Sequence, residues 1–232
     1  MKYLLKYKIW WVALLAGAII SAIMVNWWPG SDYDAFMRYA PMAEEFASGN
    51  FREAFHPRYC VLFNLLTGAL AWFTGLSGFA ACQIVAVFGW SLSMIPIWYI
   101  AKRYLGEETA WWSVVVLLFV PEYAQYAGDG MRDNLRILSY VLCAYGFVAQ
   151  PIWVGVGVFI SVTLRVDGIL IGMAIFALYA IICFYRGRSK KMIGPAVWLM
   201  AGLLLDSLMV YLFSGYFVPN SHFIKYVSGG VL

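Results

Sequence analysis

Charge is scarce in this chain. Only 12% of its 232 residues are Asp, Glu, Lys or Arg, against about a quarter in ordinary soluble domains. That shortage excludes a surface built to face water on all sides. Histidine occurs twice and cysteine four times. Cys60, Cys82, Cys143 and Cys183 are scattered, mostly in apolar runs, with no Cys-x-x-Cys pair, which excludes a cysteine-built metal framework and leaves them as packing residues. No polar linker divides the chain, so residues 1–232 read as one domain. No internal repeat is visible, which argues against a transporter made of duplicated halves. The net charge is +4, with the basic residues in short clusters between apolar runs. That is the pattern of cytoplasmic loops, not of a nucleic-acid-binding face.

What fills the chain is apolar: 63% of it is hydrophobic. The apolar runs are 9–28, 61–76, 79–101, 110–126, 135–149, 152–164, 168–185 and 194–217. Several are long enough to cross a hydrocarbon core of about 30 Å. The fold class is therefore all-α, a polytopic membrane helical bundle. The first run exceeds the usual signal-peptide core of about 7–15 residues and has no small-x-small site before Trp27-Trp28, so it reads as a retained span.

Three basic clusters set the topology: Lys2/Lys6/Lys8, Lys102/Arg103 and Arg186/Arg188/Lys190/Lys191. The positive-inside bias places all three in the cytoplasm. An even number of crossings must then separate the first two clusters, although three apolar runs lie between them. The run 61–76 carries Asn64, Thr67 and Thr74 and is broken by Gly68 and Gly75. It reads as an interfacial or re-entrant helix on the outer side. This leaves about seven transmembrane helices, the N-terminus inside and the C-terminus outside. The run 152–164 crosses only if its neighbours bury it or Pro151 starts a longer helix, at about 1.5 Å per residue.

The first outer loop, within residues 31–76, holds two juxtamembrane helices by this reading. Phe36, Tyr39/Ala40, Ala43 and Phe46/Ala47 recur at three- and four-residue steps, the mark of an amphipathic helix lying on the membrane. Ser31 is placed to cap it, with Asp32 and Asp34 in its first turn, and Pro41 to kink it.

Polar residues gather on the predicted outer face. Asp32 and Asp34 follow directly on the first apolar run; they serve either as helix-end charges or as a general base at the membrane surface. Residues 122–136 contain Asp129, Arg132, Asp133 and Arg136 around two glycines. They make either a solvated turn with an Arg–Asp pair or a site for a divalent cation or a phosphate; carboxylates and amides suit Mg²⁺ or Mn²⁺. Arg165 and Asp167 form a charged break between two apolar runs, either a helix-end pair or a phosphate contact. His222 and Lys225 follow the last run. Asp206 lies inside that run, where a carboxylate is expensive; a hydrogen bond to a neighbouring helix is expected.

The order of these motifs resembles the GT-C superfamily of lipid-phosphosugar-dependent glycosyltransferases, which includes protein mannosyltransferases, aminoarabinose transferases and arabinofuranosyltransferases. The resemblance rests on Ser31-Asp32-Tyr33-Asp34-Ala35-Phe36 after the first span and Pro57-Arg58 at the end of the first outer loop. It continues through Tyr99-x-x-Ala101-Lys102-Arg103-x-x-Gly106, the acidic loop Asp129–Asp133, Thr163-Leu164-Arg165-Val166-Asp167-Gly168, and Gly215-x-x-x-Pro219-Asn220-Ser221 with Lys225. It implies a membrane glycosyltransferase of the cytoplasmic membrane, taking a sugar from a polyprenyl-phosphate donor at the outer face. Transfer would be inverting, to a hydroxyl acceptor. Asp32 or Asp34 would be the catalytic base. Asp129 and Asp133 would hold a metal, Mg²⁺ or Mn²⁺, or position the acceptor. Arg58, Arg132, Arg165, Asp167, His222 and Lys225 would contact substrate, with Arg165 and Lys225 stabilising the departing polyprenyl phosphate. Most members continue through further spans that recognise the acceptor, so a partner subunit is expected to supply that function here. The alternative is a catalytically silent GT-C-like subunit or scaffold that binds a lipid or a partner protein.

Overall fold

The computed structural model describes residues 8–30, 32–55, 60–164 and 166–214. Among these residues the chain is all-helical, with no strand. Helix α1 spans Lys8–Trp27. A π-helical turn, Ala35–Tyr39, runs into α2, Ala40–Ala47, and a single turn, α3, covers Phe51–Ala54. Then come α4 (Val61–Thr74), α5 (Gly78–Leu105), α6 (Glu107–Leu118), α7 (Pro121–Gly128), α8 (Asp133–Val148), α9 (Pro151–Leu164) and α10 (Val166–Tyr185). A 3₁₀ turn, Ser189–Met192, leads into α11, Ile193–Ser214. Four helical stretches are long and apolar enough to cross a membrane: Lys8–Trp27, Gly78–Leu105, Asp167–Tyr185 and Ser189–Phe213.

The local sequence accounts for the breaks. The apolar run 110–126 does not form one helix. It stops at Leu118 and restarts at Pro121, because proline disfavours helical geometry in the residue before it; Val120 is extended, with ψ at 113°. Pro41 does not interrupt its helix either. It sits in the first turn of α2, directly behind the π turn at residues 35–39. The wide turn absorbs the donor that proline lacks, and it rotates Ala35 and Tyr39 rather than Phe36 into the buried face.

Packing is organised around two long contacts. Helix α5 lies against α1, α6 and α8, and α9 lies against α8, α10 and α11. The 14-residue α9 is buried along most of its length, from Val154 and Gly155 through Ser161 to Leu164. Neighbours, not lipid, surround it, which is the condition that so short an apolar helix requires. Small residues allow the close approach usual between apolar helices. A Cβ at Gly157 would strike Cys143 and the Ser139 carbonyl of α8, and one at Gly78 would strike the Ala40 carbonyl of α2. Helix α4 lies against α2 and α5. It buries Phe63, Asn64, Thr67 and Ala71 and exposes Leu66, Trp72 and Phe73.

The two ends of the bundle differ in charge. Lys8 at the start of α1 lines one cleft with Lys102 and Arg103 at the end of α5. Arg103 also lines an adjoining cleft with Arg186, Arg188 and Lys191. All three basic segments thus meet at one end, as an even number of passages between the first two requires. At the opposite end Gln83, 1% exposed, ties three segments together. Its Nε2 donates to the Trp28 carbonyl at 3.1 Å and to the Gly128 carbonyl at 2.7 Å.

Asp206 departs from expectation. It is 1% exposed, yet among the described residues neither carboxylate oxygen has a hydrogen-bond partner. Its helix neighbours show why: Gly202, one turn before it, faces Val162 and Phe159, and Val210, one turn after it, packs with Phe55 and Val61. The wall around this position is apolar.

The Gln83 bridge yields a stability prediction. Gln83→Leu leaves two carbonyls without their buried donor, a loss of about 2–3 kcal/mol. Thermal unfolding of the detergent-solubilised protein checks this, and an unchanged midpoint would contradict the bridging role.

Candidate functional site

The site is assembled at the end opposite the basic clusters, beginning where α1 stops. Trp28 continues the last turn of α1 through its N–H to the Met24 carbonyl, and Pro29-Gly30 then turns the chain. Gly30 has φ +74°, and a Cβ there would strike the rings of Phe79 and Phe36, which stack on each other with centroids 4.3 Å apart. The glycine is needed both for its left-handed backbone and for this contact.

Asp32 and Asp34 part company at the start of the next helix. Asp32 Oδ1 accepts from the backbone N–H groups of Asp34 at 2.7 Å and Ala35 at 3.3 Å. Asp32 is therefore the capping residue, satisfying donors that the first helical turn leaves open. Ser31, expected in that role, lies outside the described residues. Asp34 instead forms an ion pair with Arg38 one turn on, at 2.9 Å, both side chains more than a third exposed. Such an exposed pair contributes little to stability.

The π turn carries the chain from Asp34 to Tyr39, which is 2% exposed. Its ring meets Phe63 of α4 edge-on at 5.2 Å, and the Arg132 guanidinium lies 5.3 Å from the ring centre. Burial pushes the Tyr39 phenol above its ordinary value. The neighbouring Cys60, Asp34 and Asp133 push the same way, and Arg132 pulls against them.

That turn is built by Gly130, with φ +66°. It places Asp129, Arg132 and Asp133 within five residues. Asp129 is buried, and its Oδ1 accepts from the Trp28 indole N–H at 3.3 Å. Arg132 donates from Nη1 to the Leu164 carbonyl at 3.3 Å, covering an open carbonyl at the end of α9. Asp133 pairs with Arg136 at 2.9 Å across one turn of α8, and Arg136 reaches Asp167 of α10 at 3.6 Å. Five segments far apart in sequence thus converge: the end of α1, the π turn, the start of α4, the α7–α8 turn and the α9–α10 junction.

Of the residues singled out from sequence, this cluster unites Asp34, Asp129, Arg132, Asp133 and Asp167. Asp32 lies beside it but is directed to the backbone. Arg58, Arg165, His222 and Lys225 lie outside the described residues. Asp133 holds the Arg136 guanidinium, and among the described residues no three His, Cys, Asp or Glu side chains gather as metal ligands. Three participants were not expected. Tyr39 reads from sequence as one more member of an apolar face and Cys60 as a packing residue, and Gln83 lies unremarked within the apolar run 79–101. Only the hydroxyl and the amide on otherwise apolar helix faces could have signalled them.

The arrangement presents guanidinium groups from Arg132 and Arg136 among carboxylates at a half-buried helix junction. Guanidinium forks of this kind bind phosphate oxygens, and a carboxylate beside them can take a proton. Asp32→Ala is expected to weaken the first turn of this helix by about 1 kcal/mol, whereas Asp32→Asn, which retains the capping oxygen, leaves it nearly intact. Amide hydrogen exchange over residues 33–39 measures the difference; equal protection in both variants would remove the capping role. No family model, no curated protein and no solved structure matches the chain.

Proposed function

We propose that the protein is a membrane glycosyltransferase that takes a sugar from a polyprenyl-phosphate donor and transfers it to a hydroxyl acceptor at the end of the bundle opposite its basic clusters. The observation that carries this reading is the convergence of Asp34, Tyr39, Arg132, Asp133, Arg136 and Asp167 from separate segments at one end of an apolar helical protein. A phosphate at the end of a long lipid needs this combination: apolar helices for the chain and a guanidinium cluster where the chain ends.

The full topology belongs to the proposal. Helices α1, α5, α6, α8, α9, α10 and α11 are the seven crossings, and α2 and α4 lie at the outer interface. The gathering of all three basic segments at one end supports that order, and the positive-inside bias makes that end cytoplasmic.

Asp34 is the base in this scheme. Asp32 is committed to capping the helix, whereas Asp34 stands at the start of the π turn that ends at Tyr39 and pairs its carboxylate with the exposed Arg38. The acceptor hydroxyl attacks the anomeric carbon and gives its proton to Asp34. The bond from that carbon to the phosphate oxygen breaks, and polyprenyl phosphate leaves with the electron pair. Arg132 and Arg136 stabilise the charge that develops on the leaving phosphate, a role the GT-C resemblance also gives to Arg58, Arg165 and Lys225, which lie outside the described residues. His222 and Asp167 orient substrate, and a partner subunit supplies acceptor recognition. The step is written without a metal; Mg²⁺ or Mn²⁺ would be held by Asp129 and Asp133.

A second reading, a catalytically silent lipid-binding subunit, is favoured by one observation: Asp34 and Asp133 are both held in ion pairs with nearby arginines. Transfer assays separate the two. Using purified protein and synthetic polyprenyl-phosphate sugars, Asp34→Asn is expected to cut transfer by about 10²–10⁴-fold, with Asp32→Asn close to wild type and donor binding retained in both. Undiminished transfer by Asp34→Asn would sink the base assignment. Donor binding without turnover in the wild-type protein would establish the silent subunit.

A further inference from the structure

We propose that the cleft at the basic end is a binding site for a phosphate-bearing anion, most naturally the headgroup of an anionic phospholipid. This goes beyond the transfer chemistry, which lies at the other end of the bundle. The cleft has a volume of about 380 Å³ and is bounded by the ends of α5, α8 and α10, the start of α9 and the 3₁₀ turn Ser189–Met192. Arg103, Arg186, Arg188 and Lys191 line it, and among the described residues no Asp or Glu does.

Topology alone does not demand this arrangement. The positive-inside bias asks only that basic residues lie on one side of the membrane, and scattered exposed lysines would satisfy it. Here cations from two distant segments converge on one concavity. Gly187, with φ +60°, and the 3₁₀ turn Ser189–Met192 fold the basic segment back beside α10. Arg186, Arg188 and Lys191 are exposed and form no ion pair among the described residues. Arg103 is differently employed. Its Nη1 donates to the Val148 carbonyl at 2.6 Å, covering a negative helix end that would otherwise repel an anion.

The adjoining cleft is a contrast within the same molecule. There Lys102 is bound to Glu107 at 2.8 Å and lies 4.6 Å from the centre of the Trp98 ring. Its hydrogen bond holds the Glu107 carboxyl below the usual range. That cation already has its counter-charge, whereas the cations around the first cleft do not. The wall beside them supplies the rest of a lipid site. Tyr179 and Ile182 line the cleft, and Ile181, Phe184 and Tyr185 on the same helix end are exposed, where acyl chains would lie. Basic recesses between helices at the cytoplasmic interface are suited to anionic headgroups.

Native mass spectrometry of the full chain in detergent tests this, with phosphatidylglycerol and phosphatidylcholine of identical acyl chains added at equal concentration. At least tenfold stronger retention of phosphatidylglycerol is expected. Arg188→Gln combined with Lys191→Gln should abolish that preference. Ile182→Trp, which fills the cleft and keeps every charge, should abolish it too, and Lys102→Gln should leave it within twofold of wild type. Equal retention of the two lipids by the wild-type protein overturns the proposal. So does an unchanged preference in both the charge-removed and the cleft-filled variants. A parallel titration with glycerol phosphate identifies the source of the anion: displacement at millimolar concentration supports a headgroup-sized soluble phosphate, and its absence supports the intact lipid.

Discussion

The polar end of this protein hangs on the amide of Gln83. A primary amide inside a long apolar helix is costly unless its donors are used. Both available acceptors are main-chain carbonyls from other segments, Trp28 at the end of α1 and Gly128 at the end of α7. The two bonds fix where α1 ends relative to the α7–α8 turn. From that position the Trp28 indole reaches Asp129, and a Cβ at Gly128 would collide with the same indole. Together with the Trp28 indole–Asp129 bond, the bridge holds the acidic turn against the end of α1.

A similar economy governs the rest of the cluster. Each guanidinium at this end has a structural duty as well as a charge. Arg132 covers the Leu164 carbonyl and faces the Tyr39 ring. Arg136 joins α8 to α10 through Asp133 and Asp167. Such pairs cost desolvation and contribute little net stability, but they fix geometry. Asp206 illustrates the opposite condition, since among the described residues its apolar wall offers its carboxylate oxygens no donor. The contrast places the paired polar groups at the end of the bundle, where partners exist, and not in its middle.

The two ends carry separable roles. The carboxylate–guanidinium cluster is internally paired, so anything bound there must exchange partners with the protein, which suits chemistry at a transient phosphate. The basic cleft is unpaired and concave, which suits a standing anionic ligand. A lipid held at one end and a lipid-linked substrate turned over at the other would share one apolar bundle.

Sequence alone determined the helical, membrane-embedded class and the separation of the ends, because apolar run length and the placement of lysine and arginine are local properties that survive any packing. It also marked Asp34, Asp129, Arg132, Asp133 and Asp167, since charge is conspicuous in so apolar a chain. It did not separate Asp32 from Asp34, because capping depends on where the backbone N–H groups point. It placed Tyr39 on an apolar helix face but did not bring it to Arg132, because the α7–α8 turn lies far along the chain. Nor did it divide the run 110–126, where Pro121 overrides a continuous hydropathy signal. Tertiary structure decided which polar groups meet, because a hydrogen bond or an ion pair is a matter of a few ångströms between segments that sequence leaves far apart.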